Sequence, residues 1–269
     1  MAFAAAITSK SNARVKALRA SFGGKAARPG DVVGLEGEHL ISEALRSDFV
    51  LDTVFVREGS EDVLDRPALA GLDRSLVVIL SREVFESAVD TASPQGLAAM
   101  LTIPVFGARL SLQSRGPALL LESVQDPGNV GTLLRSAEAF AAPFVRLTDD
   151  CANPWSPKVM RASAGSVFRI PVSRGTLREH YESLKEGNFR FLAAVAPRAD
   201  AVSLFETYLG GCCAVMIGNE GAGLSAEALA MADALVTIPC ETESLNAAIA
   251  GSTFLYEAMR QRFVQDGME

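Results

Sequence analysis

Residues Val215 to Glu257 constrain this chain more than any other stretch, because they alternate short apolar runs with loops rich in glycine and polar side chains. The run CCAVMIG is short, apolar and partly β-branched, as a buried strand would be. It stops at Gly218, where Asn219, Glu220, Gly221 and Gly223 demand a loop. The run ALVTIP repeats the arrangement: a second buried strand ends at Pro239, an acidic loop follows, and Ser244, Leu245 and Asn246 open a helix of small residues. That helix is expected to place Leu245, Ile249, Phe254, Leu255 and Met259 at its apolar positions. Ligands of open α/β sheets bind at the carboxyl ends of strands, so these two loops are the first candidates for a site.

Upstream, strand and helix patterns alternate. After a helix over Ser9 to Phe22, with Ser9 or Ser11 as its cap, come the strand VVGLEG, the helix GEHLISEALRS, the strand LDTVFVR and a weak helix EDVLDRPALAG. The strand SLVVIL, the helix SREVFESAV and the strand LAAMLTIP complete a small α/β/α sandwich over residues 1–105. Residues 106–117 lose periodicity and gain Gly, Ser and Arg, which marks a linker. A second α/β domain then occupies 118–269. It opens on the strand ALLLES, a loop through Asp126, Pro127, Gly128 and Asn129, and a helix from about Asn129 or Val130. A chain of 269 residues, 49% hydrophobic, has material for two such cores.

Composition narrows the function classes. No run approaches the length of a membrane span, and the amino terminus lacks the charged start of a signal peptide, so a cytoplasmic protein is expected. Cys151, Cys212, Cys213 and Cys240 form no C-x-x-C pair and only two histidines are present, so no metal site is expected. The net charge of −7 argues against a coat for nucleic acid, yet residues 1–30 hold six cations and no acid. Arg14, Lys16 and Arg19 ride on the first helix, where they either meet phosphate or form a solvated face. Trp155, with Lys158 and Arg161 one helical turn apart, suits either a flipped-out base with flanking phosphates or a core tryptophan under a basic face. Arg135 has Glu138 at i+3 and, taken by itself, reads as an exposed helix arginine in a surface ion pair before it reads as a functional group.

The segments DPGNVGTLLRSAEAF, SPKVMRASAG, GNEGAGLS and IP…ESLNAAIAGSTFLYE resemble the motifs of the SpoU (TrmH-type) family of RNA ribose 2'-O-methyltransferases, of the SPOUT class. Residues 7–104, with LEGEHLISEAL and SPQGLAAML, resemble the ribosomal-protein-like RNA-binding domain that precedes many of its catalytic domains. The resemblance implies a carboxyl-terminal parallel sheet with a trefoil knot, a homodimer, S-adenosylmethionine as cofactor, and RNA, foremost ribosomal RNA, as substrate. It implies catalytic roles for Asn129, Arg135, Glu220, Ser244 and Asn246, with Arg135 positioning the hydroxyl and Glu220 orienting Arg135 or balancing its charge. Gly218, Asn219, Glu220, Gly221, Ile238, Cys240, Ser244 and Leu245 would hold the cofactor, Gly221 being a point where a side chain obstructs its approach. One departure stands out: only Cys240, Glu241 and Thr242 separate Pro239 from Glu243, a loop shorter than the family's and without its glycine. The rival readings are an RNA-binding protein that keeps the fold without the catalysis, and a tRNA ribose methyltransferase.

Overall fold

The structure, a computed structural model, describes residues 4–47, 49–91, 93–105 and 116–265. The expected linker lies outside the described residues except for Gly116 and Pro117. The chain divides into two compact units, one of Met1–Val105 with Trp155–Phe168, the other of Phe106–Pro154 with Arg169–Glu269.

The first unit is built on four strands, β1 (Val32–Glu36), β2 (Leu51–Arg57), β3 (Val77–Leu80) and β4 (Leu97–Thr102), in the order β1-β4-β2-β3. β4 is antiparallel to both neighbours and β2 is parallel to β3. Helices α1 (Ala13–Ser21) and α3 (Arg82–Ala88) share a core with one sheet face, where Val15, Leu18, Val84 and Phe85 pack with Phe55, Leu80 and Ala98. Alternation sends Val54, Val56, Ala99 and Leu101 to the other face, and their complete burial means that this face is covered too. Helix α2 (Glu38–Arg46) lies against β1 and β4. The sandwich read from the periodicity is therefore present. Its weak helix is not: Pro67 splits that stretch into short 3-10 turns at Glu61–Asp65 and Pro67–Leu69. The α1 cap is Asn12, whose side chain accepts from Arg14 N at 2.9 Å, rather than either serine.

The second unit holds β5 (Ala118–Leu121), β6 (Val145–Thr148), β7 (Val172–Gly175), β8 (Arg190–Val195), β9 (Val202–Ser203), β10 (Cys213–Ile217) and β11 (Ala234–Thr237). They form a wholly parallel sheet in the order β7-β6-β5-β10-β8-β11-β9. Every residue of β5, β6 and β10 is buried, as expected of central strands covered on both sides. Between β5 and β6 runs α4 (Pro127–Ala139), and α8 (Ala247–Gln265) packs along it. The two helices approach so closely that a Cβ at Gly251 would lie 2.4 Å from Leu133 Cδ2. The buried face of α8 is Ala247, Ala248, Gly251, Phe254, Leu255 and Ala258, whereas Ile249, expected there, is 56% exposed. Helix α5 (Pro157–Ala162) falls in the segment that groups with the first unit, α6 (Leu177–Glu186) precedes β8, and α7 (Ala226–Met231) joins β10 to β11.

Candidate active site

Strand order places the site. From β5 the chain moves outward to β6 and β7, while the later β10 is inserted on its other side, so β5 and β10 are neighbours whose following loops diverge. A cavity of about 300 Å³ opens here, lined by residues after β8 (Ala196, Pro197), after β10 (Gly218–Gly223) and after β11 (Ile238, Cys240, Ser244, Leu245). Phe254 and Ala250 of α8 also line it. Sequence reasoning placed the second and third of these loops at a site. It missed the first, because AAVAP carries no polar signal.

The loop after β10 owes its shape to its glycines and to one asparagine. A Cβ at Gly218 would sit 2.3 Å from the backbone carbon of Gly223 and 2.4 Å from Leu224 N, so the chain folds back over a position that only glycine fits. Asn219 and Gly223 exchange backbone hydrogen bonds of 3.0 and 2.9 Å, with Gly223 at φ +72°. The Asn219 side chain accepts from the N–H groups of Gly221 and Ala222 and donates to the Ser123 carbonyl at 2.9 Å. At Gly221 a Cβ would meet nothing nearer than Asn219 Oδ1 at 3.7 Å. The chain thus closes on itself at Gly218, while the Cβ position of Gly221 stays clear of the rest of the chain.

Three loops are joined by side chains across this end of the sheet. Asp126 caps α4, accepting from Asn129 N at 2.8 Å, so the helix starts at Pro127 and Asn129 lies in its first turn rather than in the preceding loop. From there Asn129 Nδ2 donates to Glu220 Oε1 at 2.8 Å, and Asn129 Oδ1 accepts from Asn246 Nδ2 at 3.1 Å. Asn246 in turn caps α8, its Oδ1 accepting from the N–H groups of Ala248 and Ile249. Glu220 also accepts from the N–H groups of Asp126 and Gln125. Burial pushes the Glu220 carboxyl up, but the hydrogen bonds from Asn129 and the backbone outweigh it and leave the group below the usual carboxylate range. Sequence reasoning did not single out Glu122, which is 8% exposed at the end of β5 and accepts from Ser225 N and Ser225 Oγ at 2.8 and 2.6 Å. A carboxylate closing an otherwise apolar strand was the available signal. Both ends of the Gly218–Ser225 loop are therefore held by the segment that follows β5.

The other sequence candidates are placed as follows. Arg135 is exposed on α4, does not line the cavity, and has no hydrogen-bond or ion-pair partner among the described residues. The expected pairing with Glu138 is absent, because both oxygens of Glu138 are engaged by Arg169. Nor does Glu220 touch Arg135, its oxygens being turned to Asn129 and the backbone. Trp155 is 3% exposed and packs against Phe49 and Phe168, with ring centroids 6.3 and 6.2 Å away, so it is a core residue and not a platform for a base. Arg161 reaches Asp90 at 3.3 Å and Lys158 is exposed. On α1, Arg19 donates to the Ser87 carbonyl, whereas Arg14 and Lys16 are exposed and unpaired among the described residues.

Residues 117–256 match the SpoU rRNA methylase family, and residues 12–99 match the MRM3-like substrate binding domain. An uncharacterized tRNA/rRNA methyltransferase of Synechocystis is 36% identical over 96% of this chain and 95% of its own length. A 23S rRNA guanosine 2'-O-methyltransferase of Bacillus subtilis is 31% identical over 82% of this chain and 86% of its own. Among solved structures, an AdoMet-bound rRNA methyltransferase from Sinorhizobium meliloti aligns with a TM-score of 0.78 at 27% identity, covering 96% of this chain and 98% of that one.

Proposed function

Because the chain belongs to the SpoU rRNA methylase family, we propose that it methylates a ribose 2'-hydroxyl of ribosomal RNA, with S-adenosylmethionine held in the cavity after β8, β10 and β11. The observation that carries this reading is the junction of Asn129, Glu220 and Asn246 beside a glycine-walled cavity at the switch point of the sheet. The cavity suits that cofactor. Ile238, Leu245 and Phe254 supply apolar wall for an adenine, the backbone from Gly218 to Gly223 supplies polar groups, and a carboxylate stands ready for a cationic ligand. Despite the shortened loop, Cys240 still lines the cavity beside Ser244 and Leu245, which favours a binding site over a catalytically empty relic.

The cofactor supplies a methyl group made electrophilic by its sulfonium. The protein has to bring the ribose oxygen into line, manage its proton and stabilise the charge developing on oxygen. We assign the alignment to Asn129 and Asn246, whose amides are locked to each other and to Glu220, and the charge stabilisation to Arg135. In the first unit, Arg14 and Lys16, exposed and unpaired among the described residues, are cations available for phosphate. Incubation with ribosomal RNA and labelled methyl donor should place the label on a ribose and make one internucleotide link resistant to alkali. Label on a base, or none, would refute the assignment. The Arg14→Glu/Lys16→Glu variant should weaken RNA binding and flatten its salt dependence without changing cofactor affinity.

The same reading places the protein with its RNA in the cytoplasm and makes it a homodimer joined through α8. Ile249, Tyr256 and Phe263 are 56, 52 and 45% exposed at seven-residue spacing along that helix, an apolar stripe that stays largely open among the described residues, with only Phe140 packed on Tyr256. Sedimentation should give the mass of two chains, and Tyr256→Asp should give one; a monomeric parent protein at micromolar concentration would end this part of the proposal. The trefoil knot is likewise part of the reading. It is supported by the chain's return from β11, which lies between β8 and β9, to α8 against α4 and β10. An experimental structure with residues 238–246 outside the β8–β9 connection would remove it.

A further inference from the structure

We propose that Glu220 makes the cavity selective for the charge on its ligand, so that the cationic methyl donor is held and the neutral thioether left after transfer is released. The inference rests on the assignment of the cavity to the methyl donor and goes beyond it to the way binding and release are balanced.

The lining carries the argument. Among the described residues that form the cavity wall there is no lysine, arginine or histidine, and Glu220 is the only ionisable acid. The remaining polar contributors are neutral: the backbone of the glycine loop, Asn219, Cys240 and Ser244. Asn219 is occupied internally, and the Cys240 thiol donates to the Thr242 carbonyl at 3.3 Å. In the loop after β11, between the lining residues Cys240 and Ser244, Glu241 and Glu243 are exposed and carry charge of the same sign. Glu220 itself is anchored. Asn129 Nδ2 and the N–H groups of Gln125 and Asp126 hold the carboxylate, and these donors favour its ionised form without neutralising it by a full counter-charge. No arginine or lysine pairs with it among the described residues.

Methyl transfer removes the ligand's positive charge together with one methyl group. The carbon–sulfur bond breaks, its electron pair stays on sulfur, the carbon–oxygen bond forms, and the hydroxyl proton leaves with its acceptor, so a sulfonium becomes a neutral thioether. A sphere of the cavity's volume is roughly 8 Å across, and at that range a unit charge pair is worth between about twofold in affinity at the dielectric of water and about thirtyfold near a protein surface, a range centred on about tenfold. A cavity with a fixed anion and no cation therefore binds the donor more tightly than the product.

The test is calorimetric titration of the full-length protein with S-adenosylmethionine, with S-adenosylhomocysteine, and with sinefungin, whose amine sets a positive charge near the same point without a transferable methyl. Both cationic ligands should bind about tenfold more tightly than the thioether, and Glu220→Gln should reduce that ratio to about twofold or less. The amine analogue separates charge from methyl contacts: if it binds like the thioether, charge selection is wrong. Equal or tighter binding of the thioether by the parent protein also overturns the proposal, as does an undiminished ratio in a Glu220→Gln protein whose melting curve shows it folded. The three-ligand series on the parent protein decides the matter even where the variant does not fold. If none of the three ligands binds, the cofactor assignment falls and this inference falls with it.

Discussion

Arg135→Ala is expected to slow single-turnover methyl transfer into RNA by about 10² to 10³, with cofactor affinity and melting temperature nearly unchanged. The three parts of that expectation have separate grounds. Cofactor affinity is spared because Arg135 does not line the cavity. Stability is spared because the side chain is exposed and unpartnered among the described residues, and surface changes of that kind fall within about 0.5 kcal/mol. The rate suffers because a guanidinium left without a protein partner is free to take one from the substrate, where it stabilises charge that exists only in the transition state. Arg135 lies six residues beyond Asn129 on α4, a rise of about 9 Å, which fits the proposed role toward the RNA better than one toward the methyl donor. Arg135→Lys should recover only part of the rate, since a point charge does not reproduce the planar fork. A near-normal rate for Arg135→Ala would show that the hydroxyl is activated by some other group.

Gly218→Ala should raise the dissociation constant of the methyl donor by about tenfold or more, whereas Gly221→Ala, three residues along the same loop, should change it far less. At Gly218 the new methyl would lie within 2.5 Å of three backbone atoms of Gly223 and Leu224, none of which can rotate away as a side chain can. The loop must open, and with it go the Asn219–Gly223 pairing and the position of Glu220. The cost of such overpacking is typically about 1–3 kcal/mol. At Gly221 the same methyl meets only Asn219 Oδ1, at 3.7 Å. Titration of both variants alongside their melting curves checks the pair. Similar affinities for the two would mean that the fold-back over Gly218 does not govern the cavity.

Much of this protein can be read in its residues because local chemistry is written locally. The alternation of apolar runs with glycine-rich loops announces an α/β domain with candidate binding loops at the ends of buried strands, and the first unit's sandwich follows from the periods of its short elements. Asn129, Glu220, Ser244 and Asn246 stand at loop or helix-start positions, where polar groups cost stability unless they have partners, and it is the family resemblance that assigns them to one site. Which partners they find is a different kind of information. No spacing rule brings Asn129 within 2.8 Å of a residue 91 positions away, or sets Glu122 under Ser225. Those distances come from inserting β10 beside β5, and that strand order is a property of the folded sheet.

Sequence reasoning failed where a side chain's role depends on what covers it. Trp155 among cations looks like a nucleic-acid contact until Phe49 and Phe168 close over it, and Arg135 looks like half of an ion pair until Arg169 takes Glu138. Gly221 and Gly218 are the same residue in the same loop, and only the course of the chain over Gly218 tells them apart. Residue type and period thus determined the elements, the loops that matter and the chemistry available to them. Tertiary structure decided burial, pairing and close approach, because each is a relation between segments far apart in the chain.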